Sequence, residues 1–178
     1  MTIFETERLL VRYFTEADKE NYFSLSGDYE VMQYIRAVKT KEESDAYLEQ
    51  IIRDSEATPS LGRWAVDEKD TGTFVGSFAI IPMATMPERI QLGYSLTPGN
   101  WGKGYATELT REGLKFFMDR YPLPEIYAVT EKLNTASQKV LLKAGCQPAG
   151  TVTEDEKELY LFIVDRESYN GSPGKPVK

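Results

Sequence analysis

A short turn rich in glycine is the part of this sequence that points most directly to chemistry. It lies within YSLTPGNWGKGYATEL, residues 94–109, between a predicted strand and a predicted helix. The first amides of a helix lack intrahelical acceptors and carry about half a positive charge, so a helix start binds anions. Gly102 and Gly104 remove Cβ atoms from the approach and permit positive φ, and Lys103 adds a cation. The turn therefore predicts an anion site.

The glycine spacing alone does not identify the anion. It differs from the dinucleotide pattern G-x-G-x-x-G, because the glycine that follows Gly104 is Gly113, well inside the helix. It differs from a P-loop, because Gly104 follows the lysine where a P-loop has Ser or Thr. A plain tight corner between a strand and a helix stays an alternative on this evidence.

Composition limits the catalytic chemistry further. The chain has no histidine and one cysteine, Cys146. Ser-His-Asp catalysis, Cys-His catalysis and most zinc sites are thereby excluded, and we expect no metal. Any proton transfer must use carboxylates, Tyr, Ser, Lys, Cys or water.

Charge and hydropathy predict a soluble, cytoplasmic protein. Of 178 residues, 41% are hydrophobic and 28% are charged, with a net charge of −7. This acidity argues against nucleic-acid partners, and no apolar run approaches the roughly 20 residues that cross a bilayer. One cysteine and an N-terminus without a signal-peptide pattern fit a reducing compartment. The acidity favours cationic small molecules or basic peptides as partners, although solubility alone also explains it.

Periodicity and turn signals define the secondary structure along the chain. The predicted strands are 8–14, 63–68, 73–81, 89–96, 125–132, 146–153 and 158–166. The predicted helices are one that Thr15 caps, 40–57, 105–121 and 134–145. Three antiparallel strands therefore precede a β-α-β unit, which predicts the α/β (α+β) class, a mixed sheet with helices on both faces. The polar, Pro- and Gly-containing C-terminus predicts a flexible tail over 169–178 after one domain, 1–168.

Two separated motifs resemble the GNAT N-acetyltransferase superfamily. In that superfamily a strand ends near a proline, a turn of the type R/Q-x-x-G-x-G/A follows, and a helix opens with Ala and Glu. Here Trp101, Gly104 and Ala106 occupy the signature positions. NTASQKVLLKAGCQPAG resembles the Asn-x-x-Ser…Lys-x-Gly-Phe segment of the RimJ/RimL-type branch, which acetylates ribosomal-protein N-termini. The opening ETERLLVRYFTEAD is also typical of that branch, and the resemblance spans roughly residues 5–166.

The resemblance implies a GNAT fold and acetyl-CoA as co-substrate. The fold would have a central, mostly antiparallel sheet of about seven strands, splayed between strands 89–96 and 125–132, and about four helices. Amides of the turn would hold the coenzyme A pyrophosphate, and the strand end at 94–96 would pair with the pantetheine arm. The implied cofactor-binding residues are Tyr94, Ser95, Leu96, Trp101, Gly102, Lys103, Gly104, Tyr105, Ala106, Thr107, Asn134 and Ser137. Asn134 would serve equally as an N-cap without a ligand.

The resemblance also implies direct attack of an amine on the thioester, without an acyl-enzyme. The N–H near Leu96 would stabilise the developing oxyanion. Ser137 would be the general acid for the leaving thiolate, with a tyrosine, Tyr94, Tyr127 or Tyr160, as the alternative. Cys146 stands at the family's Phe position, and we expect it to be a small buried hydrophobe rather than a nucleophile.

The general base is left open by the sequence. Many family members carry Glu at the position of Gln91, which cannot accept a proton, and Trp101 replaces the usual Arg or Gln of the turn. Glu88, at the strand entrance, is a candidate base. A peptide α-amino group has a reference pKa of about 7.7–8.0, against about 10.4 for lysine, so it would depend less on a general base to lose its proton.

The acceptor is a primary amine of unspecified type: a protein N-terminus, a polyamine or a small-molecule amine such as an aminoglycoside. Helices within 15–57 and the hairpin at 153–158 would build its groove, where Glu154, Asp155 and Glu156 steer a cation or form a solvated turn. The alternative class is a non-catalytic acyl-CoA sensor, which Gln91 favours. A nucleotide-binding protein is disfavoured because the GK[ST] pattern is missing. We expect a monomer or a homodimer.

Overall fold

One sheet of eight strands organises the part of the chain that the structure describes. The computed structural model describes residues 1–58 and 60–171. The strands are β1 Thr2–Glu5, β2 Leu9–Arg12, β3 Gly62–Glu68, β4 Phe74–Pro82, β5 Ile90–Leu96, β6 Glu125–Glu131, β7 Gln147–Glu154 and β8 Lys157–Asp165. They lie in the order β1-β2-β3-β4-β5-β6-β8-β7. The predicted mixed, mostly antiparallel sheet of the α/β class is confirmed.

Helices cover both faces of this sheet. Within the described ranges they are α1 Lys19–Ser26, α2 Tyr29–Met32, α3 Lys41–Ala57, α4 Tyr105–Arg120, α5 Thr135–Lys143 and α6 Arg166–Gly171. Trp64 of β3 stacks on Phe117 of α4 with ring centroids 5.3 Å apart. The next residue, Ala65, points the other way and packs with Leu48 and Ile51 of α3. None of these helices is long and apolar enough to cross a membrane.

The structure adds three short elements to those expected from the sequence, namely β1, α2 and α6. The sheet therefore has eight strands rather than about seven, and the described residues form six helices rather than about four. Each added element has only four to six residues. A segment of that length is too short for a hydrophobic period to become visible in the sequence.

The last helix also changes the C-terminal boundary. Residues 169–178 are predicted as a flexible tail, but α6 includes Tyr169, whose hydroxyl donates to Asp119 at 2.7 Å. The first residues of the predicted tail are therefore helical and tied to α4. Residues 172–178 lie outside the described residues.

The sheet opens between β5 and β6. These parallel neighbours pair at one position, Gln91 opposite Tyr127. By contrast, β4 and β5 pair at every position from Gly76 opposite Leu96 to Pro82 opposite Ile90. Beyond Gln91, the edge of β5 that faces β6 has no strand partner. The predicted splay in the middle of the sheet is thus confirmed.

A buried ionic network fixes α1 against the sheet. Arg12 of β2 donates to both oxygens of Asp18 at 2.8 and 2.9 Å and also pairs with Asp67 of β3. Burial by itself raises the pKa of Asp18, but hydrogen bonds from Arg12, Asn21 and the Thr15 amide outweigh it and hold the pKa well below its usual range. The carboxylate therefore stays ionised and anchors the start of α1.

This network predicts a stability effect with a defined pH dependence. The folded-state pKa of Asp18 is depressed, so its contribution is complete above the unfolded pKa of about 3.9 and is lost as pH falls below that value. We expect Asp18→Asn to lower the free energy of unfolding by about 2 kcal/mol at pH 7. The deficit should shrink below about pH 4 in urea titrations.

The control for this experiment is Asp70→Asn, because Asp70 is exposed in the turn between β3 and β4. This variant should match the wild type throughout. A deficit of Asp18→Asn that stayed constant down to about pH 2 would show that Asp18 stabilises the fold without its charge.

Candidate active site

A cavity of about 960 Å³ lies where β5 and β6 diverge. Its walls come from β5 and β6, the turn before α4, the start of α5, the segment from α1 to residue 39, and the β7–β8 hairpin. One end therefore meets the glycine turn and the other meets the first helices. A cavity of this size holds a large organic ligand, and its position is the one expected for a coenzyme together with an acceptor.

The glycine turn presents a row of backbone donors to this cavity. Gly102 and Gly104 have φ of +74° and +83°, the left-handed region that favours glycine. The first helical bond of α4 runs from the Glu108 amide to the Gly104 carbonyl at 3.1 Å. Among the described residues, none of the six preceding amides, 102–107, donates to a protein acceptor. Six adjacent free N–H groups at a helix start are suited to an anion, which is the kind of ligand that the sequence predicts for this turn.

A carboxylate on α4 holds this turn in place. Glu108 accepts hydrogen bonds from the Thr6 hydroxyl at 2.6 Å and from the Arg8 amide at 2.8 Å. The Arg8 guanidinium also donates to Glu108, and it donates to the Lys103 carbonyl at 3.0 Å. Burial alone raises the pKa of Glu108, but these donors outweigh it and the pKa is lowered. The β1–β2 turn and the glycine turn are thereby locked together.

Trp101 connects the glycine turn to the end of β5. Its indole N–H donates to the Leu96 carbonyl at 2.8 Å, while its side chain is 46% exposed. This contact gives the tryptophan a structural function at the position where the family usually has Arg or Gln. Lys103 behaves differently, because its ammonium donates to Asn100 at 2.9 Å and it does not line the cavity.

The end of β5 offers backbone groups to the gap. The Thr97 amide donates to Val75 of β4 at 3.0 Å. Because successive residues of a strand alternate, the amides of Leu96 and Tyr94 point away from β4 and toward the splay. Ser95 is placed otherwise: its backbone faces β4, and its buried hydroxyl shares a 2.9 Å hydrogen bond with Ser77.

Three of the predicted site residues meet across the gap. The Tyr94 hydroxyl donates to the Ser137 hydroxyl at 3.2 Å. Asn134 caps α5 by accepting from the Ser137 amide at 3.1 Å, which is the structural function that the sequence left open for it. Burial raises the pKa of Tyr94, so its phenol stays protonated at neutral pH. Since Tyr94 donates to Ser137, the proton of the serine is free to point at a ligand.

The structure separates the other acid and base candidates from the cavity. Tyr127 accepts from Arg89 at 2.9 Å and does not line the cavity, and neither does Tyr160. Glu88 is exposed in the turn before β5 and is also not part of the wall. Cys146 is buried, which raises its pKa to about 12, so it is a thiol in an apolar setting, as expected.

A carboxylate that the sequence did not identify as a base lies in the opposite wall. Glu154 at the end of β7 lines the cavity, and its Oε1 is buried without a hydrogen-bond partner among the described residues. Burial, and then the charge of Asp155, raises the pKa of Glu154. The sequence left Glu154 two roles, steering a cation or forming a solvated turn. It did not predict the buried oxygen, because that burial depends on strands that come together only in the fold.

Comparisons with known proteins agree with this geometry. Residues 8–147 match the family model described as the acetyltransferase (GNAT) domain. An uncharacterized N-acetyltransferase of Bacillus subtilis, YoaA, is 27% identical over 154 residues, which are 85% of this chain and 86% of that protein. The crystal structure of a GNAT-family acetyltransferase from Bacillus anthracis has a TM-score of 0.80 at 24% identity and covers 94% of this chain and 99% of its own.

The RimJ/RimL-type branch receives weaker support. The structure of RimL, a ribosomal L7/L12 α-N-protein acetyltransferase in complex with coenzyme A, has a TM-score of 0.75 and covers 93% of this chain and 98% of its own. Its identity is 14%, so it shows a shared fold alone. The family match is the stronger finding, since it includes both the glycine turn and the start of α5. The chain therefore belongs to the GNAT acetyltransferase family, and the protein is an acetyltransferase.

Proposed function

We propose that the protein transfers the acetyl group of acetyl-CoA directly to a primary amine within this cavity. The observation that carries the proposal is the row of free amides, 102–107, beside the unpaired edge of β5. The amides match a pyrophosphate, and the edge of β5 matches an extended arm that needs backbone partners. The RimL structure, which shares this fold, contains coenzyme A. The acceptor stays a primary amine of a protein N-terminus, a polyamine or a small molecule.

The residues around the splay have complementary roles in this proposal. Leu96 directs its amide into the gap, where it would stabilise negative charge that develops on the carbonyl oxygen of the thioester. Ser137 has a free proton and would donate it to the leaving thiolate. Tyr94 acts through Ser137 as a positioning residue, because its hydroxyl donates to the serine.

Glu154 is the base that this arrangement supports best. It is the carboxylate whose buried oxygen has no partner among the described residues, and it belongs to the cavity wall. A raised pKa brings a carboxylate closer to neutral pH and makes it a better proton acceptor. Gln91 lines the cavity as well but has no proton-accepting chemistry.

The proposed coenzyme site predicts a direct binding result. Wild type should bind acetyl-CoA in isothermal titration calorimetry. Gly104→Ala should weaken binding about tenfold, because an L side chain at φ of +83° costs about 1–2 kcal/mol and distorts the row of amides.

The matched control is Gly99→Ala in the same turn. Gly99 has no atom within 4 Å of an added Cβ and no positive φ, so this variant should bind like the wild type. Absence of binding by the wild type at millimolar acetyl-CoA would refute the proposed co-substrate.

The geometry around Ser137 predicts separate effects of the two hydroxyls. Ser137→Ala should lower kcat about 100-fold with little change in the KM for acetyl-CoA, because it removes the proton donor for the thiolate. Tyr94→Phe should lower kcat less, since the serine keeps its own proton. Thiol release measured with a common amine distinguishes the two. A larger loss in Tyr94→Phe than in Ser137→Ala would make the tyrosine the acid.

The raised pKa of Glu154 predicts a pH effect of defined sign. The base form is lost as pH falls through the raised pKa, so kcat/KM of the wild type should decline on the acid side. Glu154→Gln should lower kcat about 100-fold and, with kcat/KM calculated on the concentration of unprotonated amine, remove that acid limb. Glu156→Gln, in the same hairpin but outside the cavity wall, should keep both the rate and the limb. If the acid limb of the kcat/KM profile were unchanged in Glu154→Gln, the general base would be a group other than Glu154.

A further inference from the structure

Three positive side chains line the end of the cavity that faces the first helices. Arg63 is the second residue of β3, and Arg36 and Lys39 lie in the segment between α2 and α3. Among the side chains that the structure describes, none of the three pairs with a carboxylate, and Arg36 lies against Tyr47. Unpaired cations in the wall of a concave site favour an anionic ligand.

The three cations converge on one place rather than pointing apart. The Lys39 ammonium lies 4.9 Å and the Arg36 guanidinium 5.8 Å from the centre of the Tyr47 ring. Burial raises the pKa of Tyr47, but the charge of Arg63, a hydrogen bond from Arg36 and the charges of Arg36 and Lys39 outweigh it, and the pKa falls below its usual value. The three cations therefore lie near one ring, which itself stands behind the cavity wall.

The sheet places this group at a defined distance from the splay. Arg63 pairs with Ala79 of β4, and Ala79 pairs with Gly93 of β5. Neighbouring strands lie about 4.8 Å apart, so Arg63 is about 10 Å from Gly93, which lines the cavity next to Tyr94. An added Cβ on Gly93 would meet no atom within 4 Å. In this row of the sheet, the positions that follow Arg63 toward the gap are thus occupied by the small residues Ala79 and Gly93.

Charged residues are unevenly distributed around the cavity wall. The end that faces the first helices has the three cations and one acid, Glu30. The rest of the wall has acids and lysines in equal number, with Glu131 and Lys157 paired: Glu131, Glu154, Asp155, Lys139, Lys143 and Lys157. An acceptor whose amine lies at Glu154 could extend from there toward the three cations.

We infer that Arg63, together with Arg36 and Lys39, binds an anionic group of the acceptor, so that the substrate is an amine that also carries a carboxylate or a phosphate. Arg63 is suited to this because a guanidinium binds either group with two parallel hydrogen bonds. A polyamine would instead place a second cation beside three uncompensated ones. This inference rests on the proposed acetyl transfer and reverses the expectation of cationic partners that the net charge of −7 suggested.

The test uses one amine skeleton with four different ends. Thiol release is measured with 6-aminohexanoate, 6-aminohexyl phosphate, the neutral 6-aminohexanamide and 1,6-diaminohexane. We expect kcat/KM at least about tenfold higher for an anionic amine than for the amide, and lowest for the diamine. The anionic amine with the higher kcat/KM shows whether the site prefers a carboxylate or a phosphate on the acceptor.

Variants assign the preference to the cation group. Arg63→Gln should raise the KM for the anionic amine about tenfold and leave the KM values for the amide and for acetyl-CoA within about twofold. Arg63→Lys should keep part of the preference for the anionic amine over the amide, because lysine retains the charge but not the two parallel hydrogen bonds. Arg111→Gln, on the exposed side of α4, should behave like the wild type.

Two failures have different meanings. Thiol release with all four amines at equal kcat/KM, or equal effects of Arg63→Gln on charged and neutral amines, would overturn this inference and leave acetyl transfer standing. Absence of both acetyl-CoA binding and thiol release would overturn the proposed function and this inference together.

Discussion

The divergence of β5 from β6 is the constraint on which the rest of this structure depends. Two parallel strands that pair at Gln91 and Tyr127 alone leave most of one edge of β5 without a strand partner among the described residues. Unpaired backbone groups that lose water are costly, so such a gap persists only where a ligand or solvent satisfies them. The cavity and the hydroxyl pair of Tyr94 and Ser137 occupy this opening, and the proposed coenzyme arm would lie in it.

The conformation of the glycine turn depends on hydrogen bonds from distant parts of the chain. Gly102 and Gly104 adopt positive φ at the start of α4, where six successive amides have no protein acceptor among the described residues. Glu108 fixes the turn through Thr6 and Arg8, which come from the first residues of the chain. Preorganised donors lose little entropy when an anion binds, so this clamp would favour the proposed coenzyme without touching it.

A chain without histidine must divide proton transfer among weaker groups. Burial changes the proton affinity of two such groups, because it raises the pKa of both Glu154 and Tyr94. In the proposed reaction Glu154 would accept the proton, while Tyr94 donates to Ser137 and orients it. An anionic end of the acceptor would then lie at Arg63 while its amine faces Glu154.

The sequence by itself determined the features that depend on neighbouring residues. The anion turn, the cap at Asn134, the principal strands and helices and the family resemblance all follow from local pattern. Only the tertiary structure decided which distant segments meet: Arg8 with Glu108, and Tyr94 with Ser137. It also placed Arg63 and the segment after α2 in the wall of one cavity. Burial of the Glu154 oxygen belongs to the same group. Local spacing fixes backbone geometry, whereas a pKa or a charged wall depends on which segments the fold packs together.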